Sequence, residues 1–298
     1  MSHQEKQPQN DLFRERIATQ ISDQELSLDT DFRDQHFLVS ARAVHALVES
    51  AGITESDSVL EIGPGLGQIT EILTEEAGMV FAIEIDERFK PALDRIIQER
   101  ENVVIVYANA LDVSWPKIDK LVANIPFSIL EPFLERLIKE KNIKQCSLVV
   151  GRNFYLRATD PKLPFSRTGF LASTFFDIQL VSELGPSDFF PQSDDKAVIV
   201  SLKREKCRDF GRTLLASRMM RCPKHTVYSL LSDLINESYD RHRDDPRDIL
   251  SLKSLKVPKF LLKKRLNEIN NTDINALAGI IRRFDRSERS QRQNKKVK

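Results

Sequence analysis

Two segments of the chain carry residue types and spacings that could do chemistry. The first is Asn124-Ile-Pro-Phe127, which directly follows the strand-like run Leu121-Val-Ala123. An amide side chain, two backbone carbonyls held rigid by proline and an aromatic face form a pocket for an exocyclic amine on a planar base. Phe127 would stack on the base, while the Asn124 oxygen and the Ile125 carbonyl accept from the two N–H bonds of the amine. The amine is thereby drawn toward a tetrahedral geometry in which its lone pair can attack. A methyl group on a sulfonium needs no nucleophilic side chain, metal or strong base from the protein, only in-line placement, so orientation and electrostatics would carry the reaction.

The second segment, Val59-Leu-Glu-Ile-Gly-Pro-Gly-Leu-Gly67, reads as a strand entering a glycine turn before a helix. Gly63 and Gly65 permit positive φ and let the backbone approach a ligand closely. The spacing is GxGxG, and Gln68 stands where a dinucleotide fingerprint would place its third glycine, which weakens a dehydrogenase reading. Glu61 precedes the turn, and Glu84 ends the next apolar run about 20 residues on, where such folds present a ribose-binding carboxylate; Asp86 is the competing candidate. Carboxylates take ribose hydroxyls and tolerate a cation. S-adenosylmethionine, a nucleoside bearing a sulfonium and an amino acid, has that description. A glycine turn beside a surface acid is the plainer alternative.

The elements that must position these residues can be read from periodicity. Strand-like Ser58–Ile62, Met79–Ile83, Val103–Tyr107, Leu121–Ala123 and Cys146–Val150 alternate with amphipathic Gln68–Ala77, Glu87–Arg100 and Leu130–Glu140. That alternation predicts a mostly parallel, doubly covered α/β sheet with its ligand site at the C-terminal ends of the strands. Gln35–Gly52 reads as a helix stopped by glycine. Beyond residue 203 the pattern turns helical, over Leu214–Met220, Tyr228–Tyr239, Phe260–Ile269 and Ile274–Phe284. The expected organisation is a mobile polar arm over 1–30, a Rossmann-like domain over 31–205, a smaller basic helical domain over 206–286 and a disordered tail over 287–298.

Four ordered matches give the chain a family resemblance: Gln35-His-Phe-Leu38, Glu61-Ile-Gly-Pro-Gly-Leu-Gly67, Glu84-Ile-Asp86 and Asn124-Ile-Pro-Phe127, with Pro186-Ser-Asp-Phe-Phe-Pro191 as a looser fifth. The sequence resembles the ribosomal RNA adenine N6-dimethyltransferases, relatives of the erythromycin-resistance methylases. The resemblance runs from about residue 33 to 202, with an echo in Arg221–Leu231. It implies a class I S-adenosylmethionine-dependent methyltransferase that modifies two adjacent adenines near the 3′ end of small-subunit ribosomal RNA, within a precursor subunit. It implies that His36 and Leu38 line the cofactor beside Gly63, that Glu84 holds the ribose and that Asn124 sits between methyl donor and target amine. Asn109, in Ala108-Asn-Ala-Leu111, stands where the family usually has an aspartate for the cofactor's adenine. Phe127 replaces a commoner tyrosine. Phe189 resembles the second aromatic of a base sandwich, although simple core packing suits it equally well. The family's Gln-Lys-Glu after the fifth strand appears here as Val150-Gly-Arg152. Two rivals remain: a large-subunit methylase of the antibiotic-resistance kind, and a homologue that binds RNA without catalysing.

Composition narrows the classes further. The 298 residues are 41% hydrophobic and 30% charged, as in globular proteins, with no apolar run of membrane-spanning length and no signal-peptide start. A cytoplasmic monomer without a membrane partner is expected. The three cysteines and five scattered histidines suggest neither a disulfide framework nor a metal site. The net charge of +1 conceals a split: residues 201–298 carry 25 Lys and Arg against 12 Asp and Glu, and residues 1–200 carry 20 against 32. A polyanion would therefore meet the basic third, or a groove bordering it.

Overall fold

The computed structural model describes residues 15, 17–19, 36–205, 209–241 and 255–296. The chain divides into two compact units, residues 1–159 with 176–205, and residues 160–175 with 206–298. Most of the arm expected over 1–30 lies outside the described residues, but Ile17 is buried in the core of the first unit.

The first unit is built on a seven-stranded sheet. Its strands are β2 (Ser58–Ile62), β3 (Met79–Glu84), β4 (Val103–Tyr107), β5 (Lys120–Asn124), β6 (Gln145–Gly151), β7 (Phe176–Leu184) and β9 (Ala197–Arg204), in the spatial order β4-β3-β2-β5-β6-β9-β7. The first five strands in that order pair in parallel, and β9 and β7 add antiparallel pairs at one end. The order reverses between β2 and β5, which opens a crevice beyond their C-terminal ends. Alternate residues Val59, Val80, Val122, Val149 and Ile199 belong to a core with α1 (Ala41–Ser50), α2 (Gln68–Glu76) and α3 (Lys90–Glu99). Leu60, Leu121, Leu148 and Val200, alternating with them, are equally buried, so both faces of the sheet are covered.

Helix α4 (Leu130–Lys139) buries Phe133, Leu134, Leu137 and Ile138. Its last carbonyls are satisfied by the Arg204 guanidinium, which donates to Leu137 O at 2.7 Å and Glu140 O at 3.1 Å.

The helix expected from Gln35 begins only at Ala41, where Ser40 caps it by accepting from the Ala43 N–H. Phe37–Leu38 instead form a short strand, β1, antiparallel to β8 (Phe189–Phe190). Pairing across the chain wins because the Val39 N–H also donates to Asp188 O, at 2.8 Å, leaving those residues extended. Helix α5 (Arg152–Thr159) completes the unit.

The second unit contains α6 (Arg167–Phe175), α7 (Phe210–Arg221), α8 (Val227–Arg241), α9 (Lys259–Lys263) and α10 (Asn271–Lys296). Residues 160–175 group here rather than with the domain expected over 31–205: Arg167 donates to Met219 O at 3.0 Å, and Arg212 lies over the Phe170 ring at 5.0 Å. The helix expected over Phe260–Ile269 ends at Lys263. Beyond it, Lys264 O accepts from Val227 N–H and the Leu266 N–H donates to His225 O, so this backbone pairs with another segment while Leu266 and Ile269 remain buried. The tail expected to be disordered from 287 is helical to Lys296. Its lack of periodicity misleads, because Ser287–Lys296 contains neither Gly nor Pro and is rich in Arg, Gln and Lys, which favour helix intrinsically. No helix among the described residues is long and apolar enough to cross a membrane.

Candidate active site

A cavity of about 360 Å³ lies at the C-terminal ends of β2, β3, β4 and β5. Gly63 and Gly65 form its floor with φ of +70° and +57°. At Gly65 a Cβ would also lie 2.8 Å from the Phe37 ring, so any larger residue would both strain the turn and collide. The opposite wall comes from Ala108, Asn109, Ala110 and Leu111 after β4, and among the described residues no Lys or Arg lines the cavity.

Glu84, at the end of β3, faces this cavity and is 4% exposed. Its Oε2 accepts the Gly65 N–H at 2.9 Å and its Oε1 the Asp86 N–H at 2.8 Å, which fixes the carboxylate while leaving lone pairs for further donors. Burial raises its pKa above the usual carboxylate range, and the two backbone bonds oppose that rise. A carboxylate lining a cavity with no Lys or Arg among the described residues suits ribose hydroxyls and a sulfonium better than a pyrophosphate. The residues present therefore fit S-adenosylmethionine. Asp86, the competing acid, is absent from the wall; it pairs with Arg88 at 2.6 Å and caps the turn Glu87–Phe89.

Two sequence candidates stand elsewhere. Glu61 does not line the cavity: it is fully buried, accepts the Thr70 hydroxyl at 2.6 Å, and leaves Oε1 without a hydrogen-bond partner. Desolvation pushes its pKa up to about 8, with the charge of Glu84 adding to the rise. The alternation of β2 is responsible, since Glu61 shares the face of Val59, toward α2. Leu38 is likewise a core residue, paired with Phe189, and Phe37 takes its expected place on the wall.

Asn109 lines the cavity, but both ends of its amide are engaged locally. Oδ1 accepts the Leu111 N–H at 3.0 Å, and Nδ2 donates to Asp112 Oδ2 at 2.8 Å. It shapes the turn, and the second lone pair of Oδ1 and the second N–H of Nδ2 are left for a ligand. The turn is also held by Arg136 on α4, a residue no sequence motif singled out. Its guanidinium donates to Ala110 O at 2.9 Å, to Leu111 O at 2.7 Å and to Val113 O, and lies 4.5 Å over Trp115.

On the other side of Asn124 lies a second, smaller pocket lined by Ile125, Phe127, Val149, Phe189 and Ser193. Phe189 is 4% exposed and Phe127 38% exposed, so one aromatic is fixed in the core and the other can adjust. His36, Asn124 and Pro126 line both this pocket and the larger cavity. Asn124 Nδ2 donates to His36 O at 2.8 Å, which fixes the orientation of the amide and leaves Oδ1 as an acceptor with no partner among the described residues. The His36 ring in turn donates from Nδ1 to Pro191 O at 2.9 Å. Phe89, Ile85, Ser128 and Ser193 are wall residues that motif spacing did not reveal; the adjacency of Ile85 to Glu84 and of Ser128 to Phe127 could have signalled two of them.

Comparison with known proteins adds an independent line. The family described as "Ribosomal RNA adenine dimethylase" matches residues 29–210. A probable ribosomal RNA small subunit methyltransferase A of Pyrococcus furiosus is 28% identical over 244 residues, covering 80% of this chain and 87% of that protein. The protein of the same name from Methanosarcina mazei is 29% identical over 86% of this chain and 94% of its own. Among solved structures, a dimethyladenosine transferase from Plasmodium falciparum superposes with a TM-score of 0.62 at 21% identity, covering 85% of this chain and 98% of that one. The 23S rRNA methyltransferase ErmE superposes with a TM-score of 0.56 at 19% identity, covering 82% and 98%. These structural likenesses show the fold, that of the class I S-adenosylmethionine-dependent methyltransferases.

Proposed function

The chain belongs to the ribosomal RNA adenine dimethylase family, and from that premise we propose that it transfers methyl groups from S-adenosylmethionine to N6 of two adjacent adenines near the 3′ end of small-subunit ribosomal RNA. The reading includes a precursor small subunit as substrate, a monomeric enzyme and a cytoplasmic site of action.

The observation that carries this reading is the position of Asn124 between the two cavities, with its amide nitrogen tied to His36 O and its oxygen free. Asn124 Oδ1 accepts one N–H of the target amine and Ile125 O accepts the other. The lone pair of the amine then points toward the larger cavity. Phe127 and the buried Phe189 hold the base by stacking. When bound, the cofactor supplies an electrophilic methyl on a sulfonium that leaves as a neutral thioether. Glu84 holds the ribose and favours the cation, while Asn109 and Arg136 shape the wall beside the cofactor's adenine. A target base stacked in RNA must be extruded to reach Phe127, at a cost of about a few kcal/mol.

The test is methyl transfer by the purified protein to small subunits taken from cells that lack the modification, followed by mass spectrometry of their nucleosides. N6,N6-dimethyladenosine at two neighbouring positions is the expected product. Cofactor and subunit binding without any methylated adenine would favour the RNA-binding, non-catalytic alternative, and methylation confined to large-subunit RNA would favour the resistance-type methylase.

A further inference from the structure

Beside the base pocket, a further cavity of about 430 Å³ opens on Phe127, Leu130, Gly151, Arg152, Asn153 and Phe154, and on the segment 194–196. It shares Phe127 and Asp195 with the base pocket, so the two spaces adjoin at the exposed aromatic ring. We propose that this chamber is a second base subsite, which holds the nucleotide next to the target adenine while that adenine is methylated. The proposal rests on the adenine-methylating reading given above.

The chemistry of the lining points to a nucleotide. Phe127, Phe154 and Leu130 provide apolar and aromatic surface against which a base can stack. Arg152 and Lys196 are held at one rim, because the Arg152 N–H donates to Lys196 O at 2.8 Å, and their cations suit the connecting phosphate. Arg152 Nε also lies 3.3 Å from Glu183 Oε1, an exposed pair that is easily exchanged for a phosphate. Asp194 and Asp195 balance these two charges within the lining, so a bare phosphate would gain little there. The carboxylates do suit the exocyclic amine of a base, which favours adenine over uracil.

Gly151 keeps the chamber open. A Cβ at this position would sit 3.6 Å from Phe127 Cζ, in ordinary contact, and any longer side chain would extend into the space next to the ring.

The experiment uses the full chain saturated with S-adenosylhomocysteine and an RNA hairpin of the target sequence with 2-aminopurine at the neighbour of the target adenine. Stacking in the chamber should quench the probe on binding. Gly151→Leu should abolish the quench and weaken hairpin binding about tenfold, the scale of one lost base stack, with cofactor affinity unchanged as proof of folding. Arg152→Glu should weaken hairpin binding while preserving the quench at saturation. An equal quench in the wild type and Gly151→Leu, no hairpin binding by the wild type, or unchanged affinity when the neighbour is abasic would overturn the proposal. Methyl transfer by the wild type to the unlabelled hairpin or to small subunits is measured in parallel. Its absence, with the quench intact, would count against the catalytic reading and leave the subsite standing.

Discussion

The two spaces that meet at Asn124 are walled in different ways. On the cofactor side the wall comes from the ends of four parallel strands in continuous register: Ile62 pairs with Ile83 and Ala123, and Glu84 with Tyr107. Its acid, Glu84, is clamped by two backbone N–H groups, and among the described residues no Lys or Arg lines the wall. On the base side the wall comes from the turn at Phe127, from Phe189 of the two-residue strand, from Ser193 and Asp195, and from Val149 and Ala197 of β6 and β9. The larger cavity is thus framed by the ends of four adjacent strands and the turns that follow them, whereas the smaller pocket joins Phe127 and Phe189 to the backing residues Val149 and Ala197. Asn124 belongs to both sides, as the last residue of β5 and a wall of each space.

The sharpest test of that division is Asn124→Ala. It removes the acceptor for the target amine, and kcat should fall about 100- to 1000-fold, the cost of losing a preorganised hydrogen-bonding group at a reacting centre. Cofactor Kd, measured by calorimetry, should change little, because Glu84 and the glycine turn remain. A loss confined to KM for RNA would place Asn124 in base binding alone and break the comparison. Next in size is Glu84→Ala, which should raise the cofactor Kd about 10- to 100-fold through loss of charge-assisted hydrogen bonds. RNA affinity, titrated with S-adenosylhomocysteine at saturation, should be unaltered. An equal weakening of both would show that the two walls are not separable.

The cofactor side was the more legible in the sequence, for a physical reason. Strand periodicity, a glycine turn and an acid one strand later are local patterns, and Gly63, Gly65, Glu84, Asn109 and Asn124 all line one cavity. Local pattern fails where a side chain's direction depends on its partner. Glu61 lies next to the turn in sequence, yet strand alternation points it at Thr70. Leu38 yields to Phe37 because a long-range ladder with Phe189–Phe190 replaces the expected helix start. Arg136 was illegible because its role is to donate to backbone carbonyls 23 to 26 residues away in sequence, which no spacing rule encodes. On the base side, Phe189 was ambiguous between stacking and packing, and it is both a buried core residue and part of the smaller pocket's lining.

Glu61 gives the smallest functional effect expected and the most exacting test of where the cofactor wall ends. Its carboxyl is fully buried with one oxygen unpartnered, and burial lifts its pKa from 4.5 to about 8. In the unfolded chain the group ionises near the lower value, so between pH 4.5 and about 8 the folded state holds a proton that the unfolded state has lost. Stability from this group is therefore fully present below pH 4.5 and declines as pH rises through that window, by up to about 1.4 kcal/mol per pH unit. Glu61→Gln keeps an acceptor for Thr70 and removes the ionisation. Its Tm should fall less than that of the wild type between pH 5 and pH 8, by about ten degrees, since the window is worth about 3–4 kcal/mol and 1 kcal/mol corresponds to about 2–4 °C in a chain of this order of size. Its cofactor Kd should stay within about threefold of the wild type, less than a single neutral hydrogen bond is worth. A cofactor defect as large as that of Glu84→Ala would move Glu61 onto the wall, and a parallel pH dependence of Tm in the two proteins would mean that the buried carboxyl stays ionised in the fold.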